Sequence, residues 1–185
     1  MMLEDKRSVM EHNDFTKEET VEWLMNEYGR KVVRLAYTYL KQEEMAEDVA
    51  QEVFIKCYQK LDTFRHDSSY QTWIYTITVN LCKDKLKSWS FRNLIVSDFF
   101  SAKTISHRTP ETSVINREAK RELSESVLQL PVKYREIVIL FYYEDLSYNE
   151  ISELLGISKQ SIKTRLHRGR NLLKKKLKGG VSNDG

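Results

Sequence analysis

Glycine and proline are scarce in this chain, and what they cannot build narrows the chemistry at once. Among 185 residues there are six glycines and two prolines, and no glycine-rich phosphate loop can be assembled from them. The two cysteines, Cys57 and Cys82, fall within helix-like apolar patterns, with no CxxC spacing and no partnered histidine. They make neither a disulfide framework nor a zinc site, so buried, reduced thiols are expected. No apolar run approaches the ~20 residues needed to span a bilayer. The opening stretch MMLEDKRSVMEHND has no signal-peptide core, and a cytoplasmic chain is expected. Neither a cofactor nor a metal is expected.

What the chain does have is charge and helical periodicity. It is 41% hydrophobic and 31% charged, ordinary values for one or two small helical domains. The net charge of +3 conceals an asymmetry. Residues 1–62 hold nine Lys and Arg against fourteen Asp and Glu, whereas residues 117–185 hold fourteen against nine. The two ends should prefer different partners.

Residues 1–15 lack periodicity and read as a flexible N-terminus. Thr16 with Glu19 forms a capping box, and Val21, Leu24 and Tyr28 follow at helical spacing. After Gly29 a second helix is expected, carrying Val32, Val33, Leu35, Ala36, Tyr39 and Leu40. Ala46, Val49, Ala50, Val53, Cys57 and Leu61 form one continuous stripe on a third helix. The unpatterned loop DTFRHDSSYQ precedes a fourth, from about Thr72 to Lys87, and residues 16–88 read as one domain. Residues 89–116 collect Ser, Thr and a proline without a repeat and read as a linker. Phe91, Leu94, Ile95, Phe99 and Phe100 within it leave a short helix or docking segment open.

Residues 117–178 form the second expected domain, with residues 179–185 a flexible tail. Leu123, Val127, Leu128 and Leu130 recur helically, Pro131 breaks the pattern, and VKYREIVILFYYE follows. The β-branched and aromatic residues of IVILFYY favour strand locally, but they stand among helices with nothing to pair with, so a buried helix is expected. The fold class is all-α: two small helical domains joined by a flexible linker, the second ending in a helix-turn-helix.

That motif is carried by SYNEISELLGISKQSIKTRLHRGRNLLKKKL. Ser147 with Glu150 is a second capping box, ahead of Ile151, Leu154 and Leu155 on one face. Gly156 tolerates the left-handed backbone that ends a helix, Ile157 plugs the turn and Ser158 can cap the next helix. There Ile162, Leu166, Leu173 and Leu177 make the apolar stripe, with Gly169 in it where close packing is possible. Gln160, Thr164, His167 and Asn171 lie opposite, flanked by Lys163 and Arg168. From Ile157 to Lys178 there are nine basic residues and no acid. Such a run releases phosphate counterions on binding. A solvated basic helix is the bland alternative; the capped turn and first helix favour a DNA major groove.

Three segments, in order, resemble the ECF sigma factors, the small two-domain class of bacterial RNA polymerase initiation subunits. AEDVAQEVFIKCYQKLDTF resembles the segment that grips the polymerase clamp, and SSYQTWIYTITVNLCKDKL the promoter-melting segment. LPVKYREIVILFYYEDLSYNEISELLGISKQSIKTRLHRGRNLL resembles the segment that reads the upstream promoter element. The resemblance as a whole spans roughly residues 20–178.

Glu47, Asp48, Gln51, Glu52 and Ile55 lie away from the apolar stripe of the third helix. Alone they would fit a solvated surface. The resemblance implies that Asp48, Gln51 and Glu52 contact the clamp helices of the large polymerase subunit, with Ile55 on the same face. A magnesium site made from Glu47, Asp48 and Glu52 would need a cleft, substrate phosphates and a nearby base or nucleophile, which the sequence does not supply.

Phe64, Arg65, His66, Asp67, Ser68, Ser69 and Tyr70 offer stacking surfaces and hydrogen-bonding groups together, as capture of an unstacked base requires. Thr76, Asn80, Lys83 and Lys87 make a polar and basic ridge. Trp73 either packs in the core or wedges against the edge of melted duplex, and the same choice is open for Phe64 and Tyr70. The resemblance implies that the loop, roughly Asp62 to Gln71, accepts a base flipped from the non-template strand of the minus-ten element, with Asn80 at a family position there. Melting would need no ATP, because contacts to the exposed strand offset the unstacking.

In the second domain, Lys163, Thr164, His167 and Arg168 match the family's base- and phosphate-contacting positions for the minus-thirty-five element. The family often has Pro-x-Gly-Thr where this chain has Ser158, Lys159, Gln160 and Ser161, and alanine where it has Gly169. Lys159 and Gln160 are expected to add contacts that the usual family pattern lacks. The resemblance as a whole implies a promoter-specificity subunit with no covalent chemistry of its own, partnered by core RNA polymerase and promoter DNA. It also implies an anti-sigma protein, commonly membrane-anchored, that holds the chain until stress releases it. The rivals are a stand-alone helix-turn-helix regulator with an acidic interaction domain, and a metal-dependent nuclease.

Overall fold

A computed structural model describes residues 15–93 and 114–180. Among these residues there are seven α-helices and no strand. The chain divides into two compact units between Phe100 and Ser101.

The first unit begins with α1 (Lys17–Leu40). Thr16 caps it as its spacing predicts: the Thr16 hydroxyl accepts from the Glu19 N–H at 3.2 Å, and the Glu19 carboxylate accepts from the Thr16 N–H at 2.7 Å. The helix runs unbroken through Gly29, where a second helix was expected. A mid-helix glycine costs about 1 kcal/mol; Leu24, Tyr28, Val32 and Leu35 are all buried on one side of it, and each such side chain returns about 1.5–3 kcal/mol. Burial therefore carries the helix past the weak residue. Lys41, in the left-handed conformation at φ 57, ends it.

Next come α2 (Glu43–Lys60), a 3-10 turn (Leu61–Thr63) and α3 (Tyr70–Asn93). Ala46, Val49, Ala50, Val53 and Cys57 of α2 are buried as one stripe, facing Ile74, Ile77, Leu81 and Cys82 of α3 and the inner side of α1. The hydroxyl of Ser69 accepts from the Thr72 N–H at 3.1 Å, satisfying an otherwise unpaired donor at the start of α3. That cap starts the helix two residues ahead of the expected Thr72. It also extends beyond Lys87 to Asn93, so the expected linker loses its first residues; Leu94, Ile95, Phe99 and Phe100 lie outside the described residues.

The second unit contains α4 (Val114–Leu128), α5 (Val132–Tyr142), α6 (Tyr148–Leu155) and α7 (Lys159–Gly180). The strand-like IVILFYY is helical through Tyr142, with Ile137, Val138, Ile139 and Leu140 buried and Tyr142 and the capping Tyr143 exposed. α7 packs on α5, α6 and α4 through Ile162 and Leu166 against a core that includes Leu130, Ile137, Leu140 and Ile151. At Gly169 the helices come so close that an added Cβ would sit 3.1 Å from a Val138 methyl and 3.5 Å from the Tyr134 Cβ.

Two charged residues hidden in the apolar run do structural work that periodicity does not reveal. Arg135 is buried, and its Nη1 donates to the carbonyls of Leu128 at 2.6 Å and Leu130 at 3.0 Å. A cation thus meets the unpaired carbonyls at the end of α4, where the helix dipole favours it. Glu136, also buried, accepts from Arg165 of α7 at 3.3 Å.

Candidate functional site

Three surfaces carry the sequence-predicted residues. On the outer side of α2, Asp48 and Gln51 are exposed, and Ile55 is 58% exposed, large for a branched apolar side chain on a helix whose other side is fully packed. Glu52 is half-buried, its carboxylate 3.3 Å from the ammonium of Lys85 on α3. Its charge is therefore partly answered within the unit, whereas Asp48 faces outward. Next to this face, the Tyr58 hydroxyl donates to Glu18 at 2.7 Å, and the Lys17 ammonium lies 4.8 Å above the Tyr58 ring and pairs with Asp62. The bond from Tyr58 holds the Glu18 carboxyl below its ordinary pKa and the phenol above its own. This clamp joins the start of α1 to the end of α2. Sequence reading missed it because the partners lie 40 and 45 positions apart.

The loop between α2 and α3 is organised around Phe64. Its ring stacks on Trp73 at 4.6 Å and 28°, with His66 at 4.6 Å and Tyr70 at 5.0 Å. His66 reaches this position from a left-handed backbone, φ 57, a conformation uncommon for a residue with a Cβ. Tyr70 is only 6% exposed and also meets Trp23 at 5.7 Å; burial raises its phenol pKa. Of the two readings left open for Tyr70, burial favours packing: its ring lies against Trp23 of α1 at the start of α3. Phe64 and Trp73 are half-buried, and Arg65, His66 and Asp67 are exposed with Ser68 half-buried beside them.

Along α3, Asn80 and Lys87 are exposed and Lys83 is half-buried, so the ridge exists. Thr76 contributes less than expected: it is half-buried and its hydroxyl donates to the Thr72 carbonyl at 2.8 Å. Lys87 lies 3.7 Å from Asp84. Trp23, absent from the sequence-based set, joins the aromatic cluster from α1.

In the second unit the turn has the expected geometry. Gly156 sits at φ 65 and its N–H donates to Ser152 at 3.0 Å; the Ser158 hydroxyl accepts from the Ser161 N–H at 3.2 Å. Lys159, Gln160, Lys163, Thr164, His167 and Arg168 are exposed on α7, and Ser161 is half-buried in the cap. The Lys163 ammonium lies 5.8 Å over the Tyr148 ring, and His167 Nε2 is 3.0 Å from the Asn171 amide. The neighbouring cations Arg168 and Lys133 hold the Tyr134 phenol below its ordinary pKa. Tyr134, Arg168, Asn171, Leu172 and Lys175 line an open groove of about 350 Å³.

Among the described residues no group of three His, Cys, Asp or Glu is placed to hold a metal ion, and no helix is long and apolar enough to cross a membrane. Cys57 and Cys82 are buried free thiols, their pKa values pushed up to about 12 by burial.

Comparison with known proteins decides the family. A family model described as Sigma-70 region 2 matches residues 24–91, and one described as Sigma-70, region 4 matches residues 120–173. The ECF RNA polymerase sigma factor SigW of Bacillus subtilis (strain 168) is 33% identical over 159 residues, spanning 82% of this chain and 85% of the relative. The chain belongs to the ECF sigma factors. The RNA polymerase sigma factor YlaC of the same organism is 31% identical over 173 residues, 91% of this chain and 95% of its own. The ECF RNA polymerase sigma-E factor of Escherichia coli (strain K12) is 30% identical, covering 83% and 84%. In fold, the sigma factor is similar to RpoE from Bartonella quintana, solved in complex with the anti-sigma factor NepR, with TM-score 0.74 and 22% identity over 85% of this chain and 96% of that one. It is similar also to CnrH, solved in complex with the cytosolic domain of CnrY, with TM-score 0.62 and 20% identity over 88% and 90%. As a sigma factor, the protein is a promoter-specificity subunit of RNA polymerase and not an enzyme.

Proposed function

We propose that the sigma factor divides its task between its units: residues 16–88 hold core polymerase and open the minus-ten element, and residues 117–178 read the minus-thirty-five element. The observation that carries this is the pairing, in one chain, of an α2 surface showing Asp48, Gln51 and Ile55 with an α7 surface free of acid. The α2 surface suits a basic coiled coil on the large polymerase subunit, with Asp48 supplying charge complementarity and Ile55 an apolar anchor. Glu52 joins at its edge, shared with Lys85.

The loop carrying Phe64, Arg65, His66, Asp67 and Ser68 takes a base unstacked from the non-template strand. Trp73 stands at the edge of the melted duplex, while Asn80, Lys83 and Lys87 follow the backbone with Thr76 alongside. Unstacking costs a few kcal/mol per step and single-strand contacts of this kind offset it. On α7, Lys159, Gln160, Lys163, Thr164, His167 and Arg168 reach bases and phosphates in the major groove, while Ser161 secures the helix start.

An anti-sigma protein restrains the chain until stress releases it, in keeping with the complexes in which RpoE and CnrH were solved. The cytoplasm, where polymerase and promoter meet, is its compartment. In vitro transcription with purified core enzyme tests the whole: a transcript from a new start site should appear only when the protein is added, with permanganate-reactive thymines upstream of it. Specific duplex binding without core, and no gain in transcription with it, would point instead to a stand-alone regulator.

A further inference from the structure

The loop between α2 and α3 is tied to α1 at both ends. At its entry, the turn Leu61–Thr63 buries none of its residues, so packing secures it poorly. Lys17 supplies a tie: its ammonium pairs with Asp62 and lies 4.8 Å above the Tyr58 ring, whose hydroxyl donates to Glu18 at 2.7 Å. The turn carries that hold onward to Phe64, whose N–H donates to the Leu61 carbonyl at 3.0 Å, while the Thr63 hydroxyl donates to the Lys60 carbonyl at 2.8 Å. At the exit, the Trp23 ring meets Tyr70 edge-on at 5.7 Å. Lys17 and Trp23 stand on the first two turns of α1, so one rigid element holds both ends.

Fixed ends matter because the backbone between them is not relaxed. His66 takes a left-handed conformation, φ 57, which a residue with a Cβ keeps only when its surroundings over-determine it. Arg65, His66 and Asp67 are exposed, so little buried area steadies them. A loop with loose ends would sample other shapes, and ordering it would oppose capture of a base; ends held in advance remove part of that penalty. The ion pair itself adds little to global stability, because its side chains are 26% and 70% exposed and solvent screens such pairs. Its effect falls on the loop.

We propose that the start of α1 splints the base-capturing loop, with Lys17 and Trp23 as positioning residues that hold its entry and exit and so set how tightly an unstacked base is kept. This rests on the loop taking that base.

The test uses the full chain assembled with core polymerase and single-stranded oligonucleotides of the non-template minus-ten element, each with one position made abasic. The ratio of intact to abasic affinity separates base capture from backbone attraction. Wild type should show a large ratio at one position. Lys17→Ala and Asp62→Ala should each lower that ratio about three-fold, the scale of an exposed ion pair, and the double variant K17A/D62A should fall no further. The exchanged pair, Lys17→Asp with Asp62→Lys, should recover at least half of the loss at unchanged net charge. Trp23→Phe keeps a ring for Tyr70 and should hold the ratio, whereas Trp23→Leu should lower it. Core affinity and thermal midpoint should not move for Lys17→Ala, which removes unfolding as the cause. If Lys17→Ala weakens intact and abasic strands alike, or the exchanged pair recovers nothing, the proposal is overturned while the loop remains the reader. If wild type shows no sensitive position, capture by the loop falls and the splint with it.

Discussion

Arg165 and Glu136 bind α7 to the core of its unit: the guanidinium nitrogen lies 3.3 Å from a carboxylate whose side chain is 5% exposed. Arg165 is thus a basic residue of α7 that looks inward, among neighbours that look outward. Removing it leaves a buried carboxylate without this partner, which is costlier than losing a surface pair. Arg165→Ala should lower the unfolding free energy by about 2 kcal/mol in urea titration. Arg170→Ala, whose guanidinium meets the Tyr142 hydroxyl at 3.4 Å on the surface, should change it by less than about 0.5 kcal/mol. Equal effects would mean that Glu136 does not need Arg165.

The α2 surface makes a second prediction, in which stability and binding separate. Asp48 is exposed, so Asp48→Lys should leave the thermal midpoint within a degree or two, roughly the effect of an ordinary surface change. Its affinity for core polymerase should fall at least about ten-fold, which corresponds to ~1.4 kcal/mol of lost charge complementarity. Pull-down and native gel shift with core enzyme read the outcome; unchanged affinity would remove Asp48 from the interface.

Cys57 and Cys82 set a pH limit on the first unit. Burial raises both thiol pKa values from the ordinary 9.0 to about 12. A raised pKa means that the folded state keeps its protons where the unfolded state loses them. The stability associated with neutral thiols is complete below about pH 9 and is lost as pH rises toward 12. Denaturation midpoints should therefore decline over that window, and less steeply in Cys57→Ala and Cys82→Ala. Native protein should also react with a thiol reagent far more slowly than urea-unfolded protein.

Gly169 yields a prediction about packing. Its missing side chain lets α7 approach α5, with the Val138 methyl 3.1 Å from the position of a Cβ. Gly169→Leu forces the helices apart and should destabilise the second unit by about 1–3 kcal/mol. DNA binding should fall with it, because α7 carries the residues proposed to enter the major groove. A circular dichroism melt that does not move would show that the interface yields more readily than its close contacts imply.

Periodicity and capping chemistry made much of this molecule legible before any coordinates. The α2 stripe, the boxes at Thr16 and Ser147, and the left-handed Gly156 are local signals, each fixed by residues within a turn or two. Gly29 misled because a local helix weakness was overridden by buried neighbours on both sides. Residues 64–73 carry four aromatic rings with no period, and inside or outside is then decided by what packs on them. Tyr70 went inward against Trp23, while Phe64 and Trp73 stayed at the boundary. Arg135 and Glu136 were invisible as core residues because their partners, carbonyls at the end of α4 and Arg165, come from tertiary folding. The outward face of α7 was readable because a capped helix with one apolar stripe turns most of its basic residues to the other side, and Arg165 is the exception that only its partner Glu136 explains.

Phe64 already has Trp73 stacked on it and His66 tilted against it, each 4.6 Å away. Any planar guest entering this loop must therefore trade places with a phenyl group or rest outside the stack. In an exchange of one flat ring for another, little new apolar area is hidden, so stacking by itself contributes little preference. Choice among guests then falls to the hydrogen-bonding rim of Arg65, Asp67 and Ser68.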